Sequence, residues 1–269
     1  MSFPEPSDPS HDAALLALAA ELATEAAEVI NAIRARGFQT LTKTDQSPVT
    51  EADHAAEALI LAGLRRPLPG VAELPVIAEE EVAAGRQVEP GDSFWLVDPL
   101  DGTREFAAGA DSFTVNIGLV RRGRAVLGAV ALPATGELFL GLVGQGAWRR
   151  DAQGERRIAV RRAPAEGLTV LASRHHASAP ELAAYLGTQR IAHLGNIGSA
   201  AKFVRVAEGA ADLYPRLGRT MEWDTAAPQA VVEAAGGSVC RLDGSPLTYG
   251  KPGWENPHFI CRGLPEAPS

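Results

Sequence analysis

The sequence predicts a mixed α/β fold in which an antiparallel meander is followed by a second unit of alternating strands and helices. Three observations predict it. Leu15, Leu18, Leu22, Ala26, Val29 and Ile33 recur at helical spacing between the capping residue Ser10 and Gly37. Phe113, Val115, Ile117 and Leu119 alternate at strand period, and apolar runs at 125–132 and 138–142 follow across glycine-bearing turns. Beyond the basic, polar stretch Arg149 to Arg162 the units shorten to a strand at 168–172, a helix at 179–187, a strand at 190–194 and a helix at 199–208. The expected division is an N-terminal α+β subdomain over residues 1–155 and a C-terminal α/β subdomain over 156–269.

The remaining elements follow in chain order. The polar segment from Lys43 to Asp53 reads as a loop, and Thr50 caps a second helix that runs through Ala55, Leu59 and Ile60. Two apolar strands then end in acid: Pro75 to Ala78 runs into Glu79-Glu80-Glu81, and Phe94 to Val97 runs into Asp98. Near the C-terminus, strands are expected at Asp212 to Leu217, Gly237 to Leu242 and His258 to Cys261, around a helix from Thr225 to Ala235 closed by Gly236-Gly237.

Composition restricts function. A chain of 269 residues with 46% hydrophobic content buries a substantial core. Its net charge of −8 argues against a broad grip on nucleic acid, so a phosphate-bearing ligand must be met locally. Cys240 and Cys261 lie in apolar strands and read as buried free thiols, which fits a reducing cytoplasm. The first residues lack a signal-peptide pattern, and no run approaches the ~18 apolar residues of a membrane span. A cytoplasmic location is therefore expected, free or peripheral to the inner membrane.

The chemistry concentrates in Trp95-Leu96-Val97-Asp98-Pro99-Leu100-Asp101-Gly102-Thr103. Pro99 is expected to stop the strand after Asp98, and Gly102 to permit a bend that brings Asp101 to the same side. Neighbouring carboxylates repel, so their placement makes most sense with a cation between them. Asp98, Asp101, the Leu100 carbonyl and an upstream Glu form a hard-oxygen set suited to Mg²⁺ rather than zinc. The N–H groups of Gly102 and Thr103 would face an anion if a helical turn begins there. Asp-Pro and Asp-Gly are also common turn dipeptides, and Glu79-Glu80-Glu81 alone would be a solvated charge run. The conjunction behind an apolar strand is what favours a metal site. No GxxxxGK[ST], strand-borne GxGxxG or GxSxG occurs.

Three separated motifs resemble the inositol monophosphatase superfamily of lithium-sensitive, Mg²⁺-dependent phosphatases: Pro48-Val49-Thr50-Glu51-Ala52-Asp53, Glu79-Glu80 with Asp98 to Thr103, and Glu222-Trp223-Asp224-Thr225-Ala226-Ala227 with Gly236-Gly237. The match runs from about residue 12 to about 262 and is most similar to the bacterial CysQ-type 3′(2′),5′-bisphosphate nucleotidases of sulfur metabolism. That resemblance implies an α/β/α/β/α sandwich with the metal site where its halves meet. It implies Glu79, Asp98, the Leu100 carbonyl and Asp101 around one Mg²⁺, Asp98, Asp101 and Asp224 around a second, and a weaker third held by Glu79 and water. Glu79 and Thr103, the latter hydrogen-bonded to Asp53, would activate the attacking water.

For the substrate the resemblance implies contacts from His176, Ser199, Lys202, Arg216 and Asp224, besides the Gly102 and Thr103 N–H groups, and hydrolysis of the 3′-phosphate of adenosine 3′,5′-bisphosphate or of its phosphosulfate. Taken singly, Lys202 and Arg216 read equally well as surface charges and His176 as a helix start, whereas for Asp224 the N-cap is the less favoured reading. An inositol or sugar monophosphatase would use the same metal site. A non-catalytic regulator retaining the fold is the third reading, and a monomer or a homodimer is compatible with all of them.

Overall fold

A computed structural model of the protein describes residues 9–43, 48–67, 73–173 and 179–265. Helix α1 (Pro9–Arg36) leads to a short hairpin, β1 (Thr40–Thr42) and β2 (Pro48–Thr50), and then to α2 (Glu51–Leu64). Next come β3 (Val76–Ala78), α3 (Glu79–Ala83), β4 (Ser93–Asp101) and α4 (Thr103–Ala107). A meander follows: β5 (Thr114–Arg121), β6 (Arg124–Leu132), β7 (Glu137–Leu142), β8 (Gly146–Asp151) and β9 (Gly154–Ile158). The second half contains β10 (Leu168–Ala172), α5 (Ala179–Leu186), β11 (Ile191–Asn196), α6 (Ala201–Ala207) and β12 (Leu213–Arg216). A 3₁₀ turn (Glu222–Asp224), α7 (Ala226–Ala234), β13 (Ser238–Arg241) and β14 (Phe259–Arg262) complete it.

Strands β3 to β9 form one sheet in chain order, antiparallel except for the parallel β3–β4 pair. The other sheet has the order β11-β10-β12-β14-β13, parallel over its first three strands. Helices α1 and α2 cover one face of the first sheet, where Leu22, Ile30 and Ile60 meet Trp95, Ile117 and Leu127. Helices α6 and α7 lie between the sheets, packing Phe203 and Val231 with Phe139 and Phe259. Tyr185 and Leu186 of α5 pack on Val170 and Leu213 at the far face of the second sheet. The layering is the expected α/β/α/β/α sandwich. Among the described residues, no helix is long and apolar enough to cross a membrane.

Three local expectations need correction. Pro99 does not end its strand: β4 continues to Asp101, with an irregular register between Asp98 and Asp101 before pairing resumes at Asp101 opposite Thr114. Proline removes one ladder donor, and the chain passes it by bulging. The basic stretch from Arg149 contains the second half of β8 and all of β9, whose exposed and half-buried residues there lack the apolar alternation that marks a strand. The segment read as a loop before α2 contributes strand β2, which pairs antiparallel with β1.

Helix α7 sits on the first sheet through glycine. A Cβ on Gly118 or Gly141 would lie 2.5 Å from the Ala227 nitrogen or the Val231 Cα, and one on Gly128 would overlap the Ala227 carbonyl. Close approach here places the turn preceding α7 over β4 and β5. Gly128→Val should therefore push α7 off the sheet and lower stability by about 1–3 kcal/mol, the usual cost of overpacking. Urea unfolding checks this, and an unchanged midpoint would count against the packing argument.

Candidate active site

Asp98 and Asp101 enter the inter-sheet cleft from β4. On that strand Trp95 and Val97 face the α1–α2 side while Phe94 and Leu96 face the α7 side, so alternation turns Asp98 toward α7. Its carboxylate is 1% exposed and accepts the Leu100 N–H at 3.0 Å. Gly102 turns the chain at φ 95°, and a Cβ there would press on the Ser112 carbonyl at 3.1 Å and on Ser199 Cβ at 3.3 Å. Glycine is thus needed both for the left-handed bend and for the meeting of the two halves. Asp101 Oδ2 accepts the Ala200 N–H at 2.5 Å, which ties β4 to the start of α6.

Asp224 closes the cluster from the 3₁₀ turn. Its Oδ2 accepts the Met221 N–H at 2.9 Å, so it braces its own turn, while Thr225 occupies the cap position of α7. That turn is held from behind. Glu222 is fully buried and accepts the Gly250 and Lys251 N–H groups at 2.7 and 2.9 Å, and Asn256 donates to Thr225 Oγ1 at 2.9 Å.

Burial, then the charges of Glu79, Asp101 and Asp224, pushes the Asp98 carboxyl well above the usual carboxylate range. Burial likewise raises Asp101 to about 6, against the opposing pull of Lys202. Asp224 is pushed up to about 8 by burial and by the charges of Asp101 and Glu79. Among the described residues, no His, Cys, Asp and Glu side chains stand as a ready-made group of three around one metal position. A cation would compensate the mutual repulsion that these carboxylates meet when ionised. Among the described residues Asp98 accepts no hydrogen bond from a cationic side chain, and the set is oxygen-only, which fits a hard divalent cation.

Glu79 opens α3 at the end of β3 and meets Lys43, whose Nζ donates to Glu79 Oε1 at 2.7 Å and to Glu80 Oε1 at 2.6 Å. Burial works against the lysine's charge, but the two carboxylates hold its pKa above the ordinary value. Glu80 and Glu57 are buried and raised to about 7, chiefly by desolvation, and Glu57 accepts the Glu80 N–H at 2.8 Å. Thr103 Oγ1 stands 2.9 Å from Asp53 Oδ1 and 3.1 Å from the Leu100 carbonyl. Asp53 is itself oriented by the Thr50 N–H at 2.7 Å and the Thr50 hydroxyl at 2.8 Å.

The opposite wall of this cleft of about 470 Å³ carries the cations. Lys202 is 2% exposed, donates to the Ile197 and Ser199 carbonyls at 3.0 and 2.6 Å, and lies 5.0 Å from the Tyr214 ring centre. Burial lowers its pKa to about 8, with Asp101 opposing the fall. Arg216 donates to Ser173 Oγ at 3.1 Å, to the Gly218 carbonyl at 3.3 Å and to the Arg219 carbonyl. Ser199 adopts φ 53°, a left-handed conformation uncommon for serine, beside Gly102. His176 lies outside the described residues. All the other expected site residues line the cleft except Asp53, which stands behind Thr103.

A model of the inositol monophosphatase family matches residues 11–259. The chain belongs to this family. It is 42% identical over 212 residues to the 3′(2′),5′-bisphosphate nucleotidase CysQ of Escherichia coli strain K12, covering 79% of this chain and 83% of that protein. The crystal structure of CysQ from Bacteroides thetaiotaomicron superposes with a TM-score of 0.76 at 32% identity, covering 93% and 97% of the two chains. An inositol monophosphatase from Anabaena gives a TM-score of 0.73 at 27% identity, covering 93% and 91%.

Within this member of the inositol monophosphatase family, sequence reasoning missed Lys43, Glu222 and Asn256. A lone lysine in a polar loop carries no signal of its own. Glu222 stood inside a motif that drew attention to Asp224, and Asn256 matters only for what surrounds it in space.

Proposed function

We propose that the protein is a Mg²⁺-dependent phosphomonoesterase that releases the 3′-phosphate of adenosine 3′,5′-bisphosphate, with its phosphosulfate as a second substrate. The observation that carries this reading is the cluster of Asp98, Asp101 and Asp224 with Glu79, lining one cleft together with Lys202 and Arg216. Similarity to CysQ nucleotidases supports the nucleotide over an inositol phosphate.

Glu79, Asp98, the Leu100 carbonyl, Asp101 and Asp224 would hold Mg²⁺, two ions with a third more weakly bound. The metal supplies Lewis-acid stabilisation of charge on the phosphoryl oxygens and acidifies water. The chain's own groups orient and exclude. When the Thr103 hydroxyl proton points to Asp53, its lone pair faces the cleft and accepts from a water. Lys43 holds the Glu79 carboxylate through its Nζ at 2.7 Å, and that carboxylate is the group placed to take a proton from the water. The Gly102 and Thr103 N–H groups begin α4 without a side-chain cap and face the phosphate. Ser199, Lys202 and Arg216 bind the rest of the nucleotide, and His176 is assigned to the same end.

Phosphate release with Mg²⁺ from adenosine 3′,5′-bisphosphate, its phosphosulfate, inositol 1-phosphate and fructose 1,6-bisphosphate tests the reading, compared as kcat/KM. The bisphosphate nucleotide should lead, and a lead for inositol 1-phosphate would overturn the assignment. Arg216→Ala should reduce kcat/KM for the nucleotide by roughly 1.5–3 kcal/mol, the scale of a hydrogen bond to a charged group, and should spare a simple monophosphate ester. Equal losses on both would show that Arg216 serves instead to hold the 218–219 backbone that leads to Asp224.

A further inference from the structure

One fully buried polar side chain beside the carboxylates has no hydrogen-bond partner. Asn116 of β5 is 0% exposed, and neither its Nδ2 nor its Oδ1 is bonded among the described residues. On β5, Val115, Ile117 and Leu119 face the α1–α2 core, so Asn116 shares the opposite face with Thr114 and Gly118. That face is the floor of the site. Thr114 Oγ1 lies 3.4 Å from Asp101 Oδ2, Gly118 packs on Ala226 and Ala227 directly after the Asp224 turn, and Asn116 itself is the register partner of Asp98.

An unpaired buried amide lowers stability, because its lost hydration is not replaced. A purely packing role between Asp98 and Val130, its partner on β6, would be filled better by an aliphatic residue. Asn116 differs from one in offering a neutral donor. A lysine or arginine here would neutralise the carboxylates in place of a metal, and an acid would add to their repulsion. Only a neutral donor steadies a carboxylate while leaving its charge for a cation.

We propose that Asn116 is a positioning residue of the carboxylate centre, its amide donating to Asp98 when the acidic side chains gather around a divalent cation. The inference rests on the metal-site reading above. Groups that orient metal ligands from behind typically contribute 10–100-fold in metal affinity or activity.

The test is calorimetric titration of the metal-free full chain with Mg²⁺, alongside thermal unfolding without metal. Asn116→Leu should unfold at an equal or higher temperature than the parent yet bind Mg²⁺ at least ~10-fold more weakly, with the lost turnover recovered at high Mg²⁺ and an unchanged KM. Asn116→Ser, which restores a donor, should bind more tightly than Asn116→Ala. Parental Mg²⁺ affinity in a folded Asn116→Leu chain overturns the proposal, as does a serine variant no better than alanine. If the leucine variant does not fold, Asn116→Ala is read by the same affinity criterion. A parent chain that takes up no Mg²⁺ instead overturns the metal reading, so the two failures are distinguishable.

Discussion

Asp98→Asn is expected to lower turnover by about a hundred- to a thousand-fold, the scale on which one preorganised electrostatic contact acts, while leaving the metal-free chain folded and more stable than the parent. Asp98 is buried, and its carboxyl is pushed up by desolvation and by the charges of Glu79, Asp101 and Asp224. Asparagine keeps an oxygen for the Leu100 N–H and removes one of the mutually repelling charges. Loss of activity and gain of stability then come from the same atom. Phosphate release at saturating Mg²⁺ and thermal unfolding in chelator measure the two halves. A folded variant that keeps more than a tenth of parental turnover would exclude Asp98 from the metal site. Asp101→Asn should behave alike, and the two losses should not add, because both act on one unit.

The metal-free chain is also expected to lose stability as pH rises from about 5 to about 8.5, on the order of 3–5 kcal/mol. The folded-state values of about 6 for Asp101 and about 8 for Asp224 lie above the ordinary 3.8. The folded chain therefore keeps protons that the unfolded chain has already released. This stability is complete below a pH of about 4 and disappears as pH passes about 6 for Asp101 and about 8 for Asp224. Glu57 and Glu80, raised to about 7, act in the same direction. Saturating Mg²⁺ should flatten the profile by compensating the charges, and Asp224→Asn should flatten it in part. Urea unfolding in chelator at the two pH extremes decides: equal stability would show that the carboxylates are not crowded as the structure places them.

Much of this design was legible in the chain. The apolar run Phe94 to Val97 leading into Asp98 was readable because a buried strand needs continuous hydrophobicity, whereas the continuation of that strand past Pro99 to Asp101 was not. The capping pattern Thr50 to Asp53 was equally local, since one turn of helix brings those side chains together. Strand β9 was not legible, because pairing at an exposed sheet end needs backbone hydrogen bonds and no apolar pattern.

By itself, then, the sequence determined the family motifs, the acidic residues and the layered order of elements, all set by interactions within a few residues or by periodicity. Tertiary structure decided which charges meet. It placed Lys43 on Glu79 and Glu80, brought Ala200 to Asp101, and used Gly118, Gly128 and Gly141 to lower α7 until Asp224 reached the cleft. It also tied Lys202 and Arg216 to backbone carbonyls, which no charge pattern announces. The physical reason is range. Hydrophobic period and capping act along the chain, whereas carboxylate crowding, desolvation and the unpaired amide of Asn116 exist only once distant segments have excluded water from the same space.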